Sequence, residues 1–415
     1  MHLGVIADDV TGATDLASVL RRDGWSVIQT LGVPESAVPP ADVVIISLKT
    51  RTAPVHVATT AACAAEAWLT NAGARQIYFK YCSTFDSTDA GNIGPVIERL
   101  LEQMDEPFTI ACPAYPSLGR TVYLGHLFVG DQLLSESSMR HHPLTPMTDS
   151  NLVRVLARQS GFPIGLVPFT DVEKGADAVR ARCGRLMADG HKVAIVDAVA
   201  DRHLDTIASA CRDFRLITGG AALGGALART MPHGHDQAGP PAMPSLPGSV
   251  AVLSGSGSAA TQAQVRYLSR LVPHRQVDPV TLASDDGALA ELVSWSRAQS
   301  QHGHVLIYST TTPEDVQKAQ HALGRPEAAA ILERAFSTLA VALASDGVRA
   351  FVVAGGETSG AVLDAIGVKT LGFGDEIEPG VPWTHSLEPK GFHLALKSGN
   401  FGSVEFFARA LGIAA

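Results

Sequence analysis

The sequence predicts an α/β fold of two domains, each with a mainly parallel sheet and helices on both faces. Three observations lead to this prediction. The chain has 415 residues, and domains commonly contain about 100–200 residues. Short β-branched apolar runs alternate with longer Ala-rich segments, as in parallel sheets covered by helices. A Pro-, Gly- and His-rich stretch at 231–248 interrupts this rhythm and has the composition of a linker.

The linker sets the predicted boundaries: a first domain at 1–232, a linker at 233–248 and a second domain at 249–415. The predicted strands of the first domain are Leu3–Ala7, Val43–Ser47, Ile77–Tyr81, Thr109–Cys112, Val193–Val196 and Leu216–Thr218. Between them, Tyr115–Leu134 carries turn residues between short strand-like pieces and predicts a β-hairpin that projects from the sheet. The predicted strands of the second domain are Val250–Leu253, Val305–Tyr308, Ala350–Val353 and His393–Leu396.

Composition excludes several classes of function. The chain carries 32 Lys+Arg against 41 Asp+Glu, a net charge of −9, and no run of basic residues, so we expect no nucleic-acid partner. The N-terminus does not resemble a signal peptide and no run of about 18 apolar residues occurs, which predicts a soluble, cytoplasmic protein with no membrane partner. The five cysteines are scattered without CxxC spacing, and the histidines show no metal spacing, so neither disulfides nor a metal site are predicted. Cys82 is interpreted as a buried apolar residue, with a reactive thiol as the alternative.

Three loops that follow strands of the second domain are rich in Gly and Ser. In parallel sheets ligands bind at the carboxyl ends of the strands, and helix N-termini there favour phosphate. The loop residues are Ser254, Gly255, Ser256, Gly257 and Ser258; Gly355, Gly356, Glu357, Thr358, Ser359 and Gly360; and Gly399, Asn400, Phe401, Gly402 and Ser403. Ordinary helix-entry turns are the alternative for any one loop, and neither a Walker A motif nor a full G-x-G-x-x-G occurs. Lys397 either reaches a phosphate or only ends its strand.

Charged and hydroxyl residues follow the strands of the first domain. Asp8 and Asp9 follow the first predicted strand, and Arg51 follows the next one. The remaining members of this set are Thr11, Gly12, Lys80, Ser83 and Asp86. They could converge on one polar cleft. The alternatives are that one Asp caps a helix while the other faces solvent, and that Arg51 and Lys80 form salt bridges within the domain. The glycines of 219–225 favour close packing of a helix on the sheet over substrate contact.

Several motifs together resemble a known family. They are Ile6–Asp15, Phe79–Thr88, Ala111–Pro116, Gly119–Thr121 and the glycine loops at Ser254–Ser258, Gly355–Gly360 and Lys397–Gly402. With these motifs the sequence resembles the four-carbon acid sugar kinase family over nearly the whole chain. The resemblance implies a sugar-acid-binding N-terminal domain, an ATP-binding C-terminal domain and an active site in the interdomain cleft. Val10 stands where the family usually has Phe.

The segment Lys80–Thr88 resembles the branch of the family that acts on 3-oxo-tetronate. The resemblance therefore implies phosphorylation of the 4-hydroxyl of 3-oxo-tetronate with ATP and Mg²⁺. Kinase action on threonate or erythronate is the nearest alternative. An NAD-dependent dehydrogenase and a sugar-acid sensor that does not consume ATP are the others, and a homo-oligomer is left open.

Under this hypothesis each candidate residue has a role. Asp8 or Asp9 removes the proton of the 4-hydroxyl, while the other holds Mg²⁺ through water or orients a substrate hydroxyl. Arg51 and Lys80 bind the carboxylate and keto oxygen, and Ser83 and Asp86 bind the hydroxyls. Thr11 and Gly12 complete the substrate site. The loops Ser254–Ser258 and Gly399–Ser403 lie near the nucleotide, and Gly355–Gly360 lies near its phosphates.

Overall fold

The computed structural model describes residues 1–142, 144–232, 248–309 and 313–413. The chain divides into two compact units, Met1–Gln237 and Ala238–Ala415. Of the predicted linker at 233–248, all but Gly248 lies outside the described residues. The linker and the domain boundaries it implies therefore stay predictions.

The first unit alternates strands and helices along most of its length. Its elements are β1 (Leu3–Ala7), α1 (Val10–Arg22), β2 (Val27–Leu31), β3 (Val43–Ser47), α2 (Val55–Asn71), β4 (Gln76–Lys80), α3 (Ile93–Met104), β5 (Thr109–Cys112), β6 (Arg120–Tyr123), β7 (His126–Val129), β8 (Gln132–Leu133), α4 (Leu152–Gln159), β9 (Ile164–Val167), α5 (Phe169–Val172), α6 (Ala176–Ala188), β10 (Val193–Val196), α7 (Asp201–Cys211), β11 (Leu216–Gly219) and α8 (Ala221–Arg229).

The strands of the first unit pair in the order β2-β3-β1-β4-β11-β5-β10-β9, and every pair is parallel. The predicted apolar strands are confirmed, most to the residue. The prediction missed β2 and β9. In β2 the polar residues Gln29 and Thr30 interrupt the apolar run by which strands were predicted, although both are buried. Gln29 Nε2 donates to Val10 O (3.1 Å) and Ser47 Oγ (3.2 Å). Polar side chains are thus buried in a strand because neighbouring elements satisfy them.

The segment predicted as a hairpin forms the antiparallel sheet β6-β7-β8. Its tight turn places Leu124 (φ 48°) and Gly125 (φ 74°) in the left-handed region, as turns of type I′ require. The fully buried Asp197, just after β10, accepts hydrogen bonds from the N–H groups of Leu124 (2.7 Å) and Gly125 (2.9 Å). One carboxylate therefore fixes the hairpin turn to the parallel sheet.

The glycines at the start of α8 permit close packing. A Cβ on Gly219 would lie 2.5 Å from Cys112 O and 2.6 Å from the Tyr78 hydroxyl. A Cβ on Gly224 would lie 2.8 Å from Leu16. The packing interpretation of these glycines is confirmed, because larger residues would overlap neighbouring atoms.

The second unit also alternates strands and helices, and it ends in three long strands and a short helix. Its elements are β12 (Val250–Ser254), α9 (Ala259–Leu268), β13 (His274–Gln276), α10 (Pro279–Ser284), α11 (Ala288–Ser300), β14 (Val305–Tyr308), α12 (Pro313–Leu323), α13 (Arg325–Ser345), β15 (Ala350–Ala354), α14 (Gly356–Ala365), β16 (Thr370–Glu378), β17 (Val381–Glu388), β18 (Lys390–Lys397) and α15 (Phe406–Ala410).

These strands pair in the order β13-β14-β12-β15-β18-β17-β16. The pairs from β13 to β18 are parallel, whereas β16, β17 and β18 are antiparallel. The α/β prediction is confirmed, but β13, β16 and β17 were missed. The β16 sequence, TLGFGDEIE, mixes Gly and acidic residues into the strand, and its pairing with β17 contains register shifts. Neither feature produces the apolar run on which the prediction relied.

One helix differs from the expectation that no segment could cross a bilayer. Within the described part of the chain, the segment Pro326–Ser345 of α13 is long and apolar enough to cross a bilayer, judged by length and composition alone. Its Phe336, Leu339 and Leu343 are buried in the second unit. The core helix of a soluble protein passes the same test.

We expect Gly219→Ala to destabilise the protein, because the new methyl group would overlap the backbone oxygen of Cys112. The free energy of unfolding should fall by about 1–3 kcal/mol. The control is Gly184→Ala on α6, where a Cβ meets nothing within 4 Å, and where stability should rise by up to about 1 kcal/mol. Chemical denaturation of both variants checks this. Equal stabilities would show that position 219 has room for a side chain.

Candidate functional site

The loops after β1, β3 and β4 lie side by side in the first unit. Asp8 N–H donates to Lys80 O (3.1 Å), and Asp8 O accepts from the N–H groups of Thr50 (3.0 Å) and Arg51 (3.1 Å). Because β3, β1 and β4 are neighbouring parallel strands, their carboxyl ends bring these loops to one edge. Backbone hydrogen bonds therefore fix the predicted polar residues relative to each other.

Arg51 joins the two adjacent carboxylates. Its Nε and Nη2 donate to the two oxygens of Asp8 (2.9 and 2.8 Å), and Nη2 also donates to Asp9 Oδ1 (2.7 Å). The predicted alternative of a salt bridge within the domain is therefore present. Within the described part of the chain no acceptor binds Arg51 Nη1, and the side chain is 22% exposed. A guanidinium N–H thus stays available to an added anion.

Asp9 is the N-cap of α1. Its Oδ1 accepts from Gly12 N–H (2.9 Å) and its Oδ2 accepts from Thr11 Oγ1 (2.8 Å). The alternative in which one Asp caps the helix is thus half correct. Its other half is wrong, since Asp8 is buried against Arg51 and does not face solvent.

The two carboxylates differ electrostatically. Burial raises the pKa of Asp8, although Arg51 acts in the opposite direction. Burial also acts to raise the pKa of Asp9, but Arg51, Lys80, Thr11 and Gly12 together hold that pKa below its usual value. Asp9 is therefore the more firmly ionised of the pair, and its side chain is the more exposed, 15% against 4%.

Lys80 completes this cluster. It is the last residue of β4 and is buried. A Cβ on Gly12 would lie 2.2 Å from both Lys80 Nζ and Asp9 Oδ1, so the absence of a side chain at Gly12 admits the lysine. The structure brings together six predicted residues, namely Asp8, Asp9, Thr11, Gly12, Arg51 and Lys80.

The loop after β4 carries Ser83 and Asp86. Phe85 adopts a left-handed φ of 52°, which stores backbone strain in the loop. Its ring packs edge-on against the ring of Tyr81, with the two centroids 5.3 Å apart. The buried Asp86 accepts from Thr84 Oγ1 (2.6 Å). No hydrogen bond in the described structure joins Ser83 or Asp86 to the Asp8 cluster, so their substrate role stays a prediction.

Two buttressing residues were missed by the sequence analysis. Asn92 Nδ2 donates to Thr50 O (2.6 Å) and Ala53 O (3.0 Å), on the loop that carries Arg51. Gln159 Nε2 donates to Thr88 O (2.6 Å), in the Lys80–Thr88 segment. Both partners are distant in sequence, so no local pattern could have indicated them.

In the second unit the three predicted glycine loops also meet. They follow β12, β15 and β18, which are neighbouring parallel strands. Gly255 N–H donates to Ala354 O (2.9 Å), and Gly355 N–H donates to Lys397 O (2.9 Å). These bonds hold the three loops side by side at one edge of the sheet.

At some of these glycines a side chain would overlap atoms of a neighbouring loop. A Cβ on Gly255 would lie 2.0 Å from Thr358 Oγ1, and one on Gly399 would lie 2.5 Å from Ser256 Oγ. Gly355 adopts a φ of +113°. At Gly257, in contrast, a Cβ would meet nothing within 4 Å. Gly257 therefore borders open space.

The N-terminus of α14 has the features of an anion site. Its N-cap is Gly355, so no side chain caps it, and among the described residues nothing accepts from the N–H groups of Gly356, Glu357 and Thr358. Ser359 Oγ is fully buried and has no hydrogen-bond partner there. Free N–H groups, an orphaned hydroxyl and the positive end of the helix dipole fit a phosphate. At α9, by comparison, Ser258 caps the helix by accepting from Thr261 N–H (3.2 Å).

Six other predicted residues lie on or beside these loops. Glu357 and Asn400 are exposed, Gly360 is buried within α14, and Phe401 packs against the core of the unit. Gly402 has a φ of +83° and lies against Phe406. Ser403 is bound through its N–H and hydroxyl, each 2.6 Å from Glu378.

Lys397 does not extend to the loop surface. It is fully buried, and its ammonium group donates to Thr261 Oγ1 (2.9 Å), Ser398 O (3.0 Å), Gly399 O (3.0 Å) and Phe401 O (3.2 Å). Burial lowers the pKa of Lys397 to about 7, and Glu378 acts in the opposite direction. The alternative that Lys397 reaches a phosphate is therefore wrong for this structure.

We expect the Cys82 thiol to react slowly. Cys82 is half-buried and its Sγ lies 2.9 Å from Thr84 Oγ1, so the interpretation as a buried apolar residue is only partly correct. Desolvation raises the pKa of its thiol from 9.0 to about 11, which lowers the thiolate fraction at neutral pH by about a hundredfold. Iodoacetamide labelling followed by mass spectrometry should show slow modification of Cys82 in the folded protein and fast modification in urea. Equal rates in the two states would restore the reactive-thiol alternative.

Comparison with known proteins covers both units. Residues 3–227 match the family model of a sugar-binding N-terminal domain, and residues 251–407 match that of a nucleotide-binding C-terminal domain. Curated proteins named 3-oxo-tetronate kinase from Pseudomonas fluorescens and Burkholderia multivorans are each 48% identical, over 99% of this chain and 96% of theirs. One from Haemophilus influenzae is 43% identical over 99% of both chains.

Solved structures give the same picture of the fold. A crystal structure from Salmonella typhimurium LT2, which carries a provisional tRNA synthase name, is 43% identical with a TM-score of 0.85, over 99% of this chain and 98% of that one. A Haemophilus influenzae structure is 42% identical with a TM-score of 0.76, over 99% of both chains. Since both domain models and full-length relatives match, the chain belongs to the four-carbon acid sugar kinase family.

Proposed function

We propose that this protein transfers the γ-phosphoryl group of ATP to the 4-hydroxyl of 3-oxo-tetronate. The observation that carries the proposal is the cluster of Asp8, Asp9, Arg51 and Lys80, in which two carboxylates and two cations meet at one sheet edge. Such a cluster can bind a sugar acid by its carboxylate and activate its hydroxyl. The name 3-oxo-tetronate kinase, shared by the curated relatives, supports the choice of substrate.

Arg51 and Lys80 would bind the anionic end of the sugar acid. Arg51 has an unengaged Nη1, and both cations lie beside the carboxylates. Ser83 and Asp86 would bind hydroxyls from the neighbouring loop, and Thr11 and Gly12 would border the substrate at the start of α1. Binding of the anionic end by these cations would orient the rest of the substrate.

Asp9 is the better candidate for the group that takes the hydroxyl proton. It is more exposed than Asp8 and is held by Thr11 and Gly12, whereas Asp8 uses both oxygens on Arg51. A strongly basic group is not required, because the transition state of phosphoryl transfer is loose and little charge builds up on the attacking oxygen. Asp8 would then keep Arg51 in place.

The glycine loops of the second unit would bind ATP. The free N–H groups at the start of α14 and the buried Ser359 hydroxyl fit the phosphates. Mg²⁺ bound together with ATP would neutralise part of the charge of its phosphates. Because ATP is an intracellular substrate and all five cysteines are free, we also place the protein in the cytoplasm.

Asp9→Asn should lower kcat by about 10²–10⁴-fold without unfolding α1, because Asn also caps helices. Asp8→Asn should mainly raise the KM for the sugar acid by releasing Arg51. ADP release is measured with 3-oxo-tetronate, D-threonate and D-erythronate, and exposed Asp189→Asn is the control.

Near-full activity in both variants would exclude a catalytic Asp here, and loss of kcat in Asp8→Asn alone would move the role to Asp8. Faster turnover of threonate or erythronate by the wild type would replace the proposed substrate. Binding of sugar acid without any ADP release would favour the sensor alternative.

Gly257→Val tests the nucleotide site without disturbing the fold. A Cβ at Gly257 meets no protein atom within 4 Å, so the side chain of valine would extend into the open space in which we propose that the nucleotide binds. We expect the dissociation constant for ATP to rise by about tenfold or more while the melting temperature stays unchanged. Calorimetric titration measures the affinity. Unaltered ATP affinity would remove this loop from the proposed site.

A further inference from the structure

The loop Ser398–Ser403 is held by buried side chains that bind its carbonyl oxygens. The ammonium group of Lys397 donates to the carbonyls of Ser398 and Gly399 (3.0 Å each) and Phe401 (3.2 Å). Thr261 Oγ1 also donates to Gly399 O (2.8 Å), as does the Ser258 hydroxyl. These groups anchor the first half of the loop.

Gln264 on α9 anchors the second half. Its Nε2 donates to the carbonyls of Phe401 (3.0 Å), Gly402 (3.0 Å) and Ser403 (2.9 Å). The residue is fully buried, and its Oε1 has no hydrogen-bond partner among the described residues. Gln264 therefore serves this loop through its amide donor alone.

The anchored carbonyls determine where the N–H groups of the loop point. In a trans peptide the N–H of a residue points away from the carbonyl of the residue before it. Anchoring Ser398 O, Gly399 O and Phe401 O inward therefore turns the N–H groups of Gly399, Asn400 and Gly402 outward. In the described structure these three N–H groups have no acceptor. The next one, of Ser403, follows the same rule and donates to Glu378 (2.6 Å).

We infer that Lys397 and Gln264 are positioning residues that hold the Ser398–Ser403 loop by its carbonyls, so that its outward N–H groups can bind a phosphate or ribose oxygen of ATP. The inference rests on the proposed function, since it deepens the nucleotide site. Neither residue touches the nucleotide itself. Because the three N–H groups are already fixed before binding, no ordering entropy is lost when the anion binds.

A direct contact between Lys397 and phosphate does not fit the same observations. Its ammonium group is fully buried and already has four oxygen acceptors for three protons. Moving it to a ligand would break four hydrogen bonds that the buried ammonium group makes within the unit, which is costly. The cation therefore acts through the loop.

The test uses Gln264→Met and Lys397→Met in the full-length protein. Met has about the volume of each side chain but cannot donate a hydrogen bond. Because Gln264 Oε1 binds nothing in the described structure, Gln264→Met removes only the donation to the loop. Lys390→Met is the matched control, since Lys390 is exposed on the same strand as Lys397.

We expect the KM and the dissociation constant for ATP to rise about tenfold in both variants, with the KM for the sugar acid and the control unchanged. Hydrogen exchange should show that ATP protects the N–H groups of Gly399, Asn400 and Gly402 in the wild type and less so in the variants. A merely structural role would lower the melting temperature without this selective change in ATP binding.

The outcomes separate the two proposals. If folded Gln264→Met binds ATP as tightly as the wild type, the positioning role is wrong while the proposed function stands. If the wild type itself binds no ATP, the proposed function fails first and the loop has no nucleotide to serve. If Lys397→Met does not fold, Gln264→Met decides the question.

Discussion

The pairing of one guanidinium with two adjacent carboxylates is the interaction on which the first unit's candidate site depends. Buried charges are costly unless they are paired and hydrogen-bonded, and Asp8 and Asp9 would repel each other without Arg51. The backbone supports the same arrangement, because Asp8 O accepts from the N–H of Arg51 itself. Asn92 then closes the loop from the other side. Charge pairing and backbone geometry thus select the same conformation.

The two units handle charge in different ways. In the first unit charged side chains border the candidate site, as recognition of a small sugar acid requires. In the second unit Lys397 is turned inward, and the candidate site presents backbone N–H groups instead. Backbone donors suit a triphosphate because they carry no full charge, so no charged side chain has to lose its water when the phosphates bind.

Prediction of structure from the sequence succeeds where one physical signal dominates. Short, mainly apolar runs predicted β1, β3, β5 and β10 to the residue, and the positions following such strands predicted which loops converge. It fails where tertiary partners supply what the local pattern lacks. Buried Gln29 in β2 is satisfied by Val10 and Ser47, and the glycine- and acid-containing β16 is held by pairing with β17.

The residues of the candidate sites divide in the same way into those that were predictable from the sequence and those that were not. Residue types and their place at strand ends were readable from the chain, because parallel topology alone brings them together. Which groups pair was not readable. The bond from Lys397 to Thr261 and the bonds from Gln264 to the loop join residues more than a hundred positions apart. The partner of Arg51 depends on the register of β1 and β3.

A Cβ built on Gly255 would lie 2.0 Å from Thr358 Oγ1. Residues 255 and 358 therefore constrain each other during evolution, although they lie far apart in the chain. A larger residue at position 255 can become established only after position 358 has lost its side-chain bulk. In relatives these two positions should therefore change as a pair, and exchanging one loop between family members without the other should give a worse enzyme than either parent. Recombination of such proteins will tolerate breakpoints that keep both loops from the same ancestor.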